Sequence, residues 1–218
     1  MCPRTPVRNR CPRCWIHESL CFCPLIPSVA TASQIYVVMH VHETKIATHT
    51  ARLARECLPA CQIRLRGRPG TELDTQGFAA EGRRTLLLYP GSEAEELNAE
   101  YLGRHPGPYN LIVPDGSWRQ ASKTRNREPS LRDVARVKLP PGPVSGYKLR
   151  QEPHPESLST FEAIARALGV LEGAEHGPEV QRRLENIFAT MVERALVARG
   201  KLSRAEFDAE QALEAAGV

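Results

Sequence analysis

The chain has 218 residues, 41% of them hydrophobic and 25% charged, with a formal charge of +4 at pH 7. That length suits one domain of ordinary size with a real apolar core, and the composition excludes a disordered chain. No stretch approaches the roughly 18 apolar residues of a membrane span, and the Pro- and Arg-rich amino terminus does not read as a signal peptide. The mild basic excess permits a polyanionic partner without requiring one. The expectation is a cytoplasmic protein in a reducing compartment, where seven cysteines argue for metal or free thiols before disulfides.

Taken in order, the chain first shows Cys11-Pro12-Arg13-Cys14 and then Cys21-Phe22-Cys23, four thiols at C-x2-C-x6-C-x-C spacing. A segment so short cannot build its own apolar core. A structural zinc ion held by Cys11, Cys14, Cys21 and Cys23 would supply the missing cross-link; four reduced, unliganded thiols are the alternative. Cys2, Cys57 and Cys61 read as spare thiols. Pro24 to Ser33 is a linker by composition, so residues 1–33 are expected to form an amino-terminal zinc segment and linker ahead of a main domain, 34–218.

Gln34 to Met39 reads as a strand ending in His40-Val41-His42-Glu43, followed by a helix from Thr48–Thr50 to Leu58 that Pro59 stops. Nothing downstream completes a metal set with His40, His42 and Glu43, so these polar residues read as facing a ligand or RNA. Gln62 to Arg66 and Thr85 to Tyr89 are further strands. The second ends in Pro90-Gly91-Ser92, with a helix expected over Glu93 to Leu102. Such a turn lets backbone approach a nucleoside closely, although generic strand-to-helix turns look alike.

Leu111-Ile112-Val113 is a buried strand by its apolar run, with Pro114 expected to end its ladder, Asp115-Gly116 to turn, and Ser117 to cap a helix reaching Arg127. A strand, turn and helix of this kind put Asp115 at the carboxyl edge of a sheet, where open α/β folds gather ligands. Ordinary turn and capping chemistry would account for the same residues. Two features favour function: Trp118 directly after the turn, and a helix carrying Arg119, Lys123, Arg125 and Arg127 with no acid among them. Arg119, Lys123 and Arg127 fall four residues apart on one face. Acids normally interleave on a solvated face, so these three read as a ridge that tracks RNA phosphates.

Val134 to Leu139 is a further strand, bent by Pro140-Pro141-Gly142-Pro143 into a polar stretch, Ser145 to Pro153. Leu158 to Ala163 opens an amphipathic helix continuing to Leu171, with Ser159 and Glu162 spaced as a capping box. A long helix follows from Glu179 to Arg199, its stripe formed by Val180, Leu184, Ile187, Phe188, Met191 and Ala195. Gly200 ends it, and Ser203 with Glu206 is spaced to cap another. These carboxyl-terminal helices read as packing or self-association surfaces. Strands alternating with helices predict an α/β domain with a largely parallel sheet, and no Gly-x-Gly-x-x-Gly supports a Rossmann-type site.

The segment Pro114-Asp115-Gly116-Ser117-Trp118-Arg119-Gln120-Ala121 resembles the signature of the DTW-domain proteins, the tRNA-uridine aminocarboxypropyltransferases. Their usual form is Asp-x-Thr-Trp-x-x-Ala, and Ser117 keeps the hydroxyl of the threonine it replaces. The resemblance runs over about residues 11 to 172. It includes the cysteine cluster, the polar strand end with His49 where the family has Asn before Thr50, Leu88-Tyr89-Pro90-Gly91, Tyr147-x-x-Arg150, and Leu158-Ser159-Thr160-x-Glu162-Ala163.

That resemblance implies a SPOUT-like fold with a threaded knot, structural zinc, and S-adenosylmethionine as co-substrate. It implies transfer of the 3-amino-3-carboxypropyl group to N3 of a tRNA uridine. Asp115 is the candidate base or the grip on the donor's amino group, with Ser117 and Trp118 at the same catalytic turn. Leu88, Tyr89, Pro90, Gly91, Pro114, Tyr147, Arg150, Leu158, Ser159, Thr160 and Glu162 are implied around the donor, Arg150 on its carboxylate or on an RNA phosphate. Two alternatives stand beside this reading: a SPOUT-like RNA methyltransferase using the same donor, and a zinc-stabilised RNA-binding module in which Asp115 only turns the chain.

Overall fold

Period-two alternation in the first strand, β1 (Gln34–His40), divides the interior in two. Ile35, Val37 and Met39 join one apolar cluster, while Tyr36 and Val38 join another. In a computed structural model that describes residues 9–46, 49–149, 157–205 and 207, and not the Trp118 side chain, the other strands are β2 (Cys61–Arg66), β3 (Arg84–Leu88), β4 (Glu95–Glu96), β5 (Tyr109–Asp115) and β6 (Ala135–Lys138). They form one sheet in the order β2-β1-β5-β3-β6-β4, with parallel pairing throughout.

The helices are α1 (Thr50–Cys57), α2 (Ala99–Arg104), α3 (Trp118–Arg127), α4 (Thr160–Leu171) and α5 (Gly173–Ala198). Apolar residues of α1, α4 and α5 cover the larger cluster together with Ile16, Leu20 and Phe22 of the cysteine segment. Phe78 and Leu131 help close the smaller one. Among the described residues, no helix is long and apolar enough to cross a membrane. Cys57 and Cys61 are buried, and burial pushes each thiol up to about 12; Cys2 lies outside the described residues.

Three expectations need correction. Pro114 does not end its strand: pairing with β3 stops at Ile112, but pairing with β1 continues through Pro114 and Asp115. A proline is tolerated where one neighbour has already left the ladder. The helix expected over Glu93–Leu102 starts later, because Glu95–Glu96 pair with β6 and Asn98 caps α2 by accepting from the Tyr101 N–H at 2.9 Å. The long helix begins at Gly173 rather than Glu179, with Pro178 as its sixth residue, past the first turn, so the helix there goes without one i→i−4 bond. Past it, Arg204, Ala205 and Phe207 are helical and the Phe207 N–H donates to the Ser203 carbonyl; Glu206, the other half of the expected capping box, lies outside the described residues.

Helices α4 and α5 fold back on each other with glycine at the crossing. A Cβ placed on Gly177 would stand 2.1 Å from the Gly169 carbonyl oxygen. Elsewhere in a helix, Gly to Ala gains about 0.5–1 kcal/mol. Gly177→Ala is expected to do the reverse and cost roughly 1–3 kcal/mol by overpacking, read as a lower urea midpoint at unchanged slope. An unaltered or raised midpoint would show that the helices separate freely.

The cysteine segment and the stretch after it are tied to this hairpin. The Glu172 carboxylate accepts from the Ala32 and Ser33 N–H groups at 2.8 and 3.0 Å. The Arg194 guanidinium donates to the Leu20 and Cys21 carbonyls.

Candidate active site at the carboxyl edge of the sheet

Because the strands are parallel, β3, β5 and β6 all deliver their carboxyl ends to one edge, and a cavity of about 800 Å³ opens there. Leu88, Tyr89 and Pro90 line it from the end of β3, Val113, Pro114 and Gly116 from β5, and Lys138 and Leu139 from β6. Ser117, Arg119 and Ala121 contribute from the start of α3, and Leu158, Thr160, Ala163 and Arg166 from α4. Its volume falls in the range of small-molecule sites. Its basic side chains are Arg119, Lys138 and Arg166, and its acid is Glu96.

Asp115 sits at the same edge but turns inward. It is 3% exposed. Its Oδ1 accepts from the Thr160 hydroxyl at 2.5 Å, and its Oδ2 lies 2.8 Å from His49 Nε2, out of hydrogen-bond alignment. His49 is also buried; its Nε2 stands 4.0 Å from Glu43 Oε2 and its Nδ1 has no partner. These residues, with Ile46, Thr50, Gly116 and Tyr147, line a second, polar niche of about 30 Å³. Gly116 and Thr160 face both spaces, so the large cavity and the niche meet at the wall these two residues form.

Local chemistry fixes this geometry. Ser117 and Gln120 close a capping box at the start of α3, and Ser159 and Glu162 close another at the start of α4. The second box does more than cap. The Glu162 carboxylate also accepts from the Ser145 hydroxyl and the Gly146 N–H, each at 2.7 Å. It thereby pins the Ser145–Tyr147 stretch to α4, which holds Thr160 against the end of β5.

The expected site residues divide accordingly. Leu88, Tyr89, Pro90, Pro114, Ser117, Leu158 and Thr160 line the large cavity. Asp115 and Tyr147 line the niche instead, whereas Gly91, Ser159 and Glu162 line neither. At Gly91 a Cβ would stand 3.2 Å from the Arg125 guanidinium, which crosses the Tyr89 ring at 4.9 Å. The ridge also divides: Arg119 faces the cavity, Lys123 is half-buried, and Arg127 is exposed. Burial, and then His42 and Arg66, push the His40 imidazole below its usual range. Arg150 lies outside the described residues.

Outside both spaces the four cysteines converge. The sulfurs of Cys11, Cys14, Cys21 and Cys23 all lie within 4.8 Å of one another, with Cys11 to Cys23 at 3.5 Å and Cys14 to Cys21 at 3.9 Å. A tetrahedral zinc site with Zn–S bonds of about 2.3 Å places its sulfurs roughly 3.8 Å apart. Backbone N–H groups of Cys14 and Arg13 lower the Cys11 thiol to about 6, while burial raises Cys14 and Cys23. One thiolate forms readily there; Cys14 and Cys23 need a cation to ionise at neutral pH.

The family model of the DTW domain matches residues 8–196 of this chain, cysteine cluster and cavity included. The chain belongs to the DTW-domain family. It is 31% identical to the tRNA-uridine aminocarboxypropyltransferase 2 of Macaca fascicularis over 78% of this chain and 59% of that protein. The Drosophila melanogaster protein of the same name is 33% identical over 81% of this chain and 71% of its own length. The tRNA-uridine aminocarboxypropyltransferase A of Arabidopsis thaliana is 27% identical, covering 95% and 90%. The chain thus spans a little under three fifths of the macaque relative's length. No solved structure matches it.

In this DTW domain the signature straddles the end of β5 and the first turn of α3, with the backbone of Trp118 opening the helix. Sequence reasoning missed three contributors to the site. His49 was legible as a helix-start residue, but its approach to Asp115 depends on α1 and β5 meeting in space. Lys138 was taken as a strand residue. Arg166 is the one charged side chain after Glu162 in an otherwise apolar α4, and that contrast was the available signal.

Proposed function

We propose that this DTW-domain chain transfers the 3-amino-3-carboxypropyl group of S-adenosylmethionine to N3 of a uridine in tRNA, releasing methylthioadenosine, in the cytoplasm. The observation that carries the reading is the cavity of about 800 Å³ walled by the signature residues Pro114, Gly116, Ser117, Arg119 and Ala121. Relatives over the same region are named for this transfer.

The donor occupies the large cavity, its adenosine against Leu88, Tyr89, Pro90 and Leu158. The cationic groups of Arg119, Lys138 and Arg166, with Arg150, are the candidates for its carboxylate. Its sulfonium has three electrophilic carbons, and the one presented to the nucleophile at near-attack distance reacts. The acceptor base must be unpaired and turned out, which a folded tRNA loop allows more cheaply than a duplex. N3 of uracil is weakly acidic, and Asp115 is the group that takes its proton. Trp118, the aromatic residue of the signature, is the candidate to stack on a base.

Zinc on the four cysteines fixes residues 1–33 to the catalytic domain, 34–218, whose carboxyl-terminal chain is threaded in the SPOUT manner. Lys123 and Arg127 track phosphates beside the mouth that Arg119 guards.

The deciding experiment offers unmodified tRNA and donor labelled on either the methyl or the carboxyl carbon. Carboxyl label alone in RNA is the expected result. Methyl label alone would make the chain a methyltransferase, and failure to bind the donor would leave an RNA-binding module. Arg166→Met is expected to weaken donor binding at least roughly tenfold, the lower end of a charged hydrogen bond's contribution of about 1.5–3 kcal/mol; an unchanged calorimetric Kd would remove Arg166 from the carboxylate. Replacing Arg119, Lys123 and Arg127 together by Ala should flatten the salt dependence of tRNA binding by roughly two charges. An unaltered slope would dissolve the ridge.

A further inference from the structure

If the donor and acceptor meet in the large cavity, the Asp115 carboxylate is not the first group the uridine proton encounters. Asp115 opens on the niche, and the residue that faces both spaces and touches the carboxylate is Thr160, whose hydroxyl donates to Oδ1. Behind Asp115 lie two buried polar atoms without a hydrogen bond, Asp115 Oδ2 and His49 Nδ1. The niche that these two residues help to line measures about 30 Å³, room for one water with several polar partners. The titratable groups that face it are Glu43, His49, Asp115 and Tyr147, from the turn after β1, the start of α1, the end of β5 and the loop before α4.

We propose that Thr160 is the relay hydroxyl of this site and that His49 is the positioning residue behind it, the two joined through Asp115. The inference rests on the transfer reaction proposed above. As N3 attacks the carbon beside sulfur, the N3–H bond breaks and its proton passes to Thr160 Oγ1. The proton already on Oγ1 passes to Asp115 Oδ1. The electron pair left on N3 forms the new C–N bond, the C–S bond breaks, and its pair stays on sulfur, so a sulfonium and a carboxylate become a thioether and a carboxylic acid. The His49 imidazole stands 2.8 Å from Asp115 Oδ2 and fixes the side of the carboxylate turned away from Thr160. After transfer its Nε2, the nitrogen nearest both carboxylates, takes the proton from Asp115 and yields it toward Glu43, the less buried of the two.

The test uses the full chain, tRNA and donor, with single-turnover transfer measured across pH beside calorimetric donor affinity and tRNA affinity. Thr160→Val keeps the shape and removes the hydroxyl. It is expected to slow transfer by roughly 100-fold or more, the lower end for positioned proton transfer, with both affinities within about threefold. Thr160→Ser is expected to recover most of the rate. His49→Gln should slow transfer and alter the shape of its pH profile.

Valine at Thr160 that transfers at the unaltered rate, or serine that fails to rescue, overturns the relay. A pH profile unmoved by His49→Gln removes His49 from it. Absence of transfer by the unaltered chain, with donor bound, overturns the reaction itself.

Discussion

Asp115→Asn is expected to fold, to bind donor and tRNA, and to lose transfer by roughly 10²–10⁴-fold, the range of a positioned general base. The substitution is nearly isosteric. Its amide oxygen can still accept from the Thr160 hydroxyl, so the 2.5 Å contact that docks α4 on β5 survives. The amide nitrogen lies toward His49 and cannot take up a proton. Melting temperature and donor affinity report whether the fold and cavity are intact, and single-turnover transfer reports the chemistry. Full turnover by a folded, donor-binding Asp115→Asn chain would end the catalytic reading and leave Asp115 as a buried turn residue.

The second large effect concerns the cysteines. Zinc sites in isolated finger peptides bind with apparent free energies of about 10–16 kcal/mol. Even a third of that, at roughly 2–4 °C per kcal/mol for a chain of this size, lowers the melting temperature by about 7–20 °C. Cys14→Ser, or a strong chelator, is therefore expected to produce a shift of that order together with loss of about one equivalent of zinc.

The pH dependence has a definite sign. The metal needs thiolates, protons compete for them, and metal affinity falls as pH falls. Cys11, at about 6, resists protonation longest, while Cys14 and Cys23, raised by burial, depend on the cation throughout. Zinc retained at low pH, or a chain purified without metal that melts unchanged, would return these residues to plain thiols.

Much of the domain was legible because its signals are local. The apolar run from Leu111 to Val113 and the Ser117 cap each depend on neighbours in sequence and appear where they were read, while the turn read at Asp115-Gly116 falls one residue later, because Asp115 still pairs with β1. The capping box at Ser159 and Glu162 also appears where it was read. Pro114 misled because a proline's effect depends on whether a second strand is alongside, which sequence does not display. Glu95 and Glu96 misled for the same reason: helix-forming residues were drawn into pairing with β6.

The site divides on the same principle. Tyr89, Pro90 and Ser117 could be placed at the sheet's edge from their own turns. Whether Asp115 faces the large cavity or a niche behind it depends on His49 and Thr160, which lie 66 residues before it and 45 after it. Only the approach of α1 and α4 to the end of β5 decides that orientation.

The ties from Arg194 to Leu20 and Cys21 have a consequence for synthesis. The cysteine segment is made before the rest of the domain, but the core that receives Ile16, Leu20 and Phe22 includes side chains of α5, which are translated long afterwards. Contacts closing a loop of more than 170 residues form late in folding, because the ordering of everything between them must come first. The cysteine loop therefore waits through the synthesis of most of this domain without its seat. Metal capture is the local event that can keep it ordered until that seat arrives.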